Sequence, residues 1–116
     1  MAIGRRESRG IVVLSLKGNF YGDTETEALQ KAIAEEAAAG NLRLVLNLAE
    51  CQTLNSIAIG TLMRGFATYR GKNGEIKLCC LSKRVKDLFT MTKLIKVFDH
   101  HDAEGDAVAA FAVEVR

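Results

Sequence analysis

Leu42-Arg43-Leu44-Val45-Leu46-Asn47-Leu48 sets the architecture of this chain. Its four leucines fall at every second position and so share one face of an extended strand. Val45 is apolar on the other face, which predicts a central strand covered on both sides. On its N-terminal side, Gly40-Asn41 is a helix stop. Before it, Ala28 to Ala39 is rich in helix formers, with Leu29, Ile33 and Ala37 four residues apart on one stripe. Thr24-Glu25-Thr26-Glu27 fits a capping box for this helix, with Asp23 as a rival cap. Gly18 to Gly22 is expected as a turn-rich loop and Ile11 to Leu16 as a buried strand, with residues 2–8 as its candidate edge partner. On the C-terminal side, Ala49 to Asn55 is expected as a loop. A helix follows over Ser56 to Arg70, with Ile59, Leu62, Met63 and Phe66 inward. After the turn Gly71-Lys72-Asn73-Gly74, a strand is expected over Ile76 to Leu81. Ser82 then caps a third helix that buries Val85, Leu88 and Phe89. A short strand at Ile95 to Asp99 and a helix at Ala103 to Val113, capped by Asp102, complete the pattern. Strands alternating with helices predict an α/β fold with a mixed, largely parallel sheet and right-handed crossovers.

Composition narrows the function classes. The chain has 116 residues, which makes one domain over residues 1–116 the expectation. Hydrophobic residues are 48% and charged residues 26%, which excludes a disordered chain. The absence of proline excludes Pro-rich recognition. A net charge of +2 gives no global case for nucleic-acid binding. Three cysteines are too few for a disulfide scaffold and predict reduced core thiols in a cytoplasmic protein. Cys79 and Cys80 are neighbours and would point to opposite faces of a strand. No apolar stretch approaches the ~20 residues of a membrane span, and the run Ile11 to Leu16, stopped by Lys17, is too short for an export signal. Charge is uneven along the chain. Residues 64–96 carry nine basic and two acidic side chains, whereas residues 23–50 carry six acidic and two basic ones and residues 97–116 five acidic and one basic. Solvated helix faces account for this blandly; a docking surface for a charged partner is the sharper alternative.

Catalytic constellations are missing from the sequence. There is no phosphate-cradling Gly-Lys-Ser/Thr and no Gly-x-Ser-x-Gly elbow. Asp99-His100-His101-Asp102 offers histidines that diverge along a strand end, with no third ligand at a fitting spacing. Cys51 is the sole nucleophile candidate and has no evident activating base. The expectation is therefore a protein that is not an enzyme and has no metal or cofactor. The informative segment runs from Asn47 to Gly60, where a central strand leads to Asn55-Ser56 at the start of a helix. Ser56 can be read as a plain N-cap. The sharper, less favoured reading from the residues alone is a phosphoacceptor, since a phosphate of about −1.5 to −2 charges is tolerated at a helix N-terminus and repels an acidic or apolar partner.

Leu44-Val45-Leu46-Asn47-Leu48 followed by Asn55-Ser56-Ile57-Ala58-Ile59-Gly60 resembles the STAS domain, and within it the single-domain anti-sigma factor antagonists of bacteria. Those proteins carry a Val-Leu-Asp/Asn-Leu strand and, seven residues on, Asp-Ser-Ser/Ala-Gly-Leu-Gly. Their Gly-x-Leu-Asp turn corresponds to Gly18-Asn19-Phe20-Tyr21, and a Ser-Pro-x-Val-x-x-Leu-Phe stretch corresponds to Ser82-Lys83-Arg84-Val85-Lys86-Asp87-Leu88-Phe89. The similarity continues to Val97-Phe98. Asn55 stands where the family has Asp, Ile57 and Ala58 where it has a small residue and Gly, and Tyr21 where its turn has Asp, with Asp23 two residues on.

The resemblance implies a sheet of four or five strands with about four helices mainly on one side. It also implies partner switching. The unmodified domain binds an anti-sigma factor that is also a serine kinase of the ATP-binding, histidine-kinase-like type; the kinase phosphorylates the acceptor, here Ser56; and a serine phosphatase resets it. ATP belongs to the kinase. Carried over in this way, the partner-binding positions are Asn19, Tyr21, Asp23, Thr24, Asn55, Ser56, Ile57, Ala58 and Ser82. The alternatives are a STAS scaffold module that is not phosphorylated, within a larger signalling or lipid-transport assembly, and a nucleic-acid contact through residues 64–96, which lack a stacking pattern around Phe66, Tyr69 and Phe89.

Overall fold

The protein is described by a computed structural model that covers residues 2–20 and 23–114. Its elements in chain order are β1 (Ala2–Ser8), β2 (Ile11–Phe20), α1 (Asp23–Ala38), β3 (Arg43–Leu54), α2 (Ser56–Gly71), β4 (Glu75–Cys79), α3 (Lys83–Met91), a 3-10 turn at Leu94–Lys96, β5 (Asp99–His101) and α4 (Glu104–Glu114). The five strands form one sheet in the order β1-β2-β3-β4-β5. β1 pairs antiparallel with β2, and the other three pairs are parallel. The antiparallel edge follows from Arg9-Gly10, whose φ values of 53° and 79° suit a two-residue turn matched to strand twist. This is a mixed, largely parallel α/β sheet with four helices, as the alternation of elements predicts.

β3 lies at the centre, and its two faces carry separate cores. Leu44, Leu46 and Leu48 face α1, α2 and α3 together with Leu14, Leu16, Leu29, Leu62, Val85 and Phe89. Val45 faces the other way and packs with Ile11, Val13, Cys79, Ala107, Val108 and Phe111, so among the described residues α4 is the one helix that covers that side. The helices α1 and α2 meet at Gly65, where a Cβ would stand 3.0 Å from Ile33 Cγ2. The buried Tyr69 hydroxyl donates to the Ile33 carbonyl at 3.1 Å, tying the same two helices.

Several expected boundaries are corrected. Gly18 to Phe20 and Ala49 to Leu54 are strand, not loop, because the two extensions pair with each other through Lys17↔Glu50, Gly18↔Cys51, Asn19↔Thr53 and Phe20↔Leu54. Gly18, with φ of 97°, sits at a register shift and serves as an irregularity in the ladder rather than a turn. Tyr21 and Gly22 lie outside the described residues. α1 already includes Asp23 and Thr24, so Thr24 is in its first turn and does not cap it. β4 ends at Cys79, since Cys80 takes φ of 63°. The expected strand over Ile95 to Asp99 is replaced by the 3-10 turn, with Val97 and Phe98 N–H groups donating back to Leu94, and β5 comes after it. The Ala103 carbonyl accepts from Asp106 and Ala107, which puts the α4 cap position at Ala103 and not Asp102.

Candidate functional site

The parallel strands β2, β3 and β4 end on the same side of the sheet, the side on which parallel α/β folds place their sites. Asn19 pairs with Thr53, and the Phe20 carbonyl accepts the Asn55 N–H at 3.0 Å, so the end of β2 is fastened to the start of α2. Asn55 is the N-cap. Its backbone is extended, its carbonyl accepts the Ile59 N–H at 3.0 Å, and its side-chain Oδ1 accepts the Ala58 N–H at 2.9 Å. Ser56 is therefore the first residue of the helix, not its cap, and it is exposed. Asn and Ser rank alike as caps, so the residue types did not separate them. With the cap duty on Asn55, the Ser56 hydroxyl has no assigned structural task. The N–H groups of Ser56 and Ile57, two of the orphan donors of a helix start, find no partner among the described residues.

The remaining positions divide by burial. Ile57 is 55% exposed and places a bulky apolar side chain next to Ser56. Ala58 is wholly buried in the main core, so it seats the helix and offers no surface to a partner. Asn19 and Asn55 are partly buried, and Thr24 is exposed in the first turn of α1. Asp23 opens α1. Ser82 caps α3 by accepting the Val85 N–H at 3.3 Å, which occupies its hydroxyl. Ser82 also lines a cleft of about 660 Å³ with Lys17, Gly18, Glu50, Gln52 and Arg84, alongside the strand ends that carry Asn19 and Thr53. An adjoining cleft runs from Thr53 to Arg84, Leu88 and Met91. Sequence reasoning did not single out Arg84 and Met91, although Met91 is 81% exposed on α3; the basic run around Lys83 was the available signal.

Chemistry at this end of the sheet is limited. Cys51 borders the cleft but is 1% exposed, and burial pushes its thiol up to about 11, so it presents no thiolate nucleophile at neutral pH. Among the described residues no group of three or more His, Cys, Asp or Glu side chains is placed to hold a metal ion. Of the nine bases in residues 64–96, Lys77 is 1% exposed. Its ammonium pairs with Asp99 of β5 at 2.7 Å and Glu75 of β4 at 3.3 Å and lies 4.8 Å from the Phe111 ring centre on α4. It adds nothing to a basic surface. No helix among the described residues is long and apolar enough to cross a membrane.

Comparison with known proteins places this geometry. The STAS domain family profile matches residues 2–107. A candidate anti-sigma factor antagonist of Bordetella bronchiseptica, BtrV, is 24% identical over 102 residues, covering 88% of this chain and 87% of that protein. The anti-sigma F factor antagonist of Paenibacillus polymyxa is 24% identical over 115 residues, 97% of each chain. The Bacillus cell fate determinant SpoIIAA has been solved in unphosphorylated and phosphorylated forms. Each superposes with a TM-score of 0.73, at 19% and 17% identity, over 99% and 95% of this chain and 100% and 99% of theirs. That likeness shows the fold.

Proposed function

The chain belongs to the STAS domain family, and from that premise we propose that it is an anti-sigma factor antagonist whose partner, an anti-sigma factor with serine kinase activity, lets go when Ser56 is phosphorylated. The observation that carries this reading is the exposed Ser56 hydroxyl at the first position of α2, freed from capping by Asn55. A phosphate there brings about −1.5 to −2 charges to the positive end of a helix, beside N–H groups that have no partner among the described residues, so the fold tolerates it. The same charge next to the exposed Ile57 repels an acidic partner and desolvates badly against an apolar one. Couplings of this kind are worth ~1–3 kcal/mol, or about 5–150-fold in affinity. No movement of the sheet is required.

In this reading the chain is substrate and ligand rather than enzyme. The kinase brings ATP, a serine phosphatase restores the unmodified form, and the exchange takes place in the cytoplasm. The docking surface comprises Asn19, Asn55, Ser56, Ile57 and the first turn of α1 with Asp23 and Thr24, extended past Ser82 to Arg84. It acts as one STAS unit over residues 1–116. Relatives named as anti-sigma factor antagonists, and the existence of a phosphorylated form of SpoIIAA, support it.

A second reading has its own observation. Ile57 is a β-branched residue standing beside Ser56, where the family pattern has a small side chain, and this favours a STAS scaffold that is never phosphorylated. Incubation of the chain with its cognate serine-kinase anti-sigma factor, plus ATP, separates the two by intact mass. One phosphate on the wild type and none on Ser56→Ala supports the switch. No phosphate on the wild type, or one that persists in Ser56→Ala, overturns it in favour of the scaffold.

A further inference from the structure

Cys79 is the last residue of β4, paired with Asn47 on one side and His101 on the other. A continuing strand would send the next side chain to the opposite face. Instead, Cys80 takes φ of 63°, while its N–H still donates to the His101 carbonyl at 3.1 Å. The left-handed residue cancels the alternation. Cys79 is fully buried in the α4-side core with Val13, Val45 and Phe111, and Cys80, half-buried, packs against that same core. Both side chains thus belong to one face, and the two thiols are hydrogen-bonding neighbours, contrary to the expectation from their adjacency in a strand.

We propose that Cys79 and Cys80 form a vicinal dithiol site for a monosubstituted trivalent arsenical, entered from the half-buried Cys80 side. The donor set selects this class of ligand. A tetrahedral zinc-type ion needs about four ligands, and no third His, Cys, Asp or Glu joins the pair in a metal-holding group among the described residues. A metal also needs both thiols deprotonated. Burial and the neighbouring Cys80 thiol hold the Cys79 thiol well above its ordinary range, so the thiolate is disfavoured there. An arsonous acid, R–As(OH)2, requires no buried charge. Each S–H condenses with one As–OH; two As–S bonds form, two S–H and two As–O bonds break, and two waters leave. Arsenic remains trivalent, and its third bond is already made to R. Cys51 lies in the other core, away from the pair, and takes no part.

The test uses the full, natively folded, phosphine-reduced chain with phenylarsine oxide as probe. Intact mass is expected to show one phenylarsenic unit per chain, retained in Cys51→Ser and lost in Cys80→Ser. Thiol mapping of the treated wild type is expected to find Cys79 and Cys80 protected and Cys51 free, which keeps the test decisive even if a variant does not fold. Because adjacent cysteines of an unfolded chain also bind arsenicals, the melting temperature is the third readout: a site preorganised in the native state raises it. An unmodified wild type, an adduct that survives in Cys80→Ser, protection that falls on Cys51, or a lowered melting temperature overturns the proposal.

Discussion

Replacing Asn55 and Ser56 by alanine, one at a time, separates the cap from the candidate acceptor. Asn55 Oδ1 takes the Ala58 N–H at 2.9 Å, and Ala58 is fully buried, so removing the amide leaves that donor with little access to water. Loss of an N-cap costs about 0.5–2 kcal/mol, and this placement argues for the upper half, ~1–2 kcal/mol. For a domain of this size each kcal/mol moves the melting temperature by roughly 4 °C, so Asn55→Ala is expected to melt about 4–8 °C lower. Ser56 is exposed, is the first helical residue and is not the cap. Its change to alanine is expected to fall within about 0.5 kcal/mol of wild type. Urea unfolding followed by circular dichroism, with melting curves alongside, measures both. If Ser56→Ala loses as much stability as Asn55→Ala, or if Asn55→Ala loses none, the hydroxyl is part of the helix start and the reasoning that frees it for modification fails.

Three further outcomes follow from the packing and ion pairs. A Cβ on Gly74 would collide with the Leu42 carbonyl oxygen, so Gly74→Ala is expected to cost ~1–3 kcal/mol in urea unfolding even though it stiffens the unfolded chain. The hydrogen bond from Arg5 at 2.6 Å, helped by Asn41 and opposed by burial, holds the Glu36 carboxyl below its usual range. A depressed carboxylate contributes stability above the ordinary carboxylate pKa and loses it as pH falls through the folded value. The deficit of Arg5→Met is therefore expected to be largest near neutral pH and to shrink in acid, as urea midpoints across that range will show. Lys77 is an ion buried against Phe111 and paired with Asp99 and Glu75. Since apolar residues of similar volume often replace buried ions without loss, Lys77→Met is expected to stay within about 1 kcal/mol of wild type, whereas Lys77→Ala, which leaves a void, is expected to lose ~2 kcal/mol or more.

The parallel core of the fold was legible because leucines at 44, 46 and 48, with Val45 between them, leave no other way to bury both faces. In α3 the expected stripe holds at Val85 and Phe89, which are buried, whereas in α2 the fully buried positions are Ala58, Thr61, Leu62, Gly65 and Tyr69, and of the expected Ile59, Leu62, Met63 and Phe66 only Leu62 is among them, the other three packing half-buried against the core. What failed was punctuation. Ala49-Glu50-Cys51-Gln52-Thr53 lacks β-branched apolar alternation, and Gly18 reads as a turn, yet each segment is strand because the other supplies its backbone partners. Local propensity carries no record of that pairing. The positive φ at Cys80 was equally hidden, since nothing in a Cys-Cys pair signals a left-handed residue. At the candidate site, the helix start was found from Asn55-Ser56, but the assignment of cap and first residue needed the direction of two side chains. The exposure of Ile57 and the burial of Ala58 follow from that same one-residue frame.

The central claim is that charge added at Ser56 expels a partner from an otherwise unchanged surface. Its most direct measurement is isothermal calorimetry of wild type, Ser56→Ala and Ser56→Asp against the proposed partner, a serine-kinase anti-sigma factor. The account predicts equal affinity for wild type and Ser56→Ala and a loss of about 5–150-fold for Ser56→Asp. Equal affinity for all three chains would contradict it.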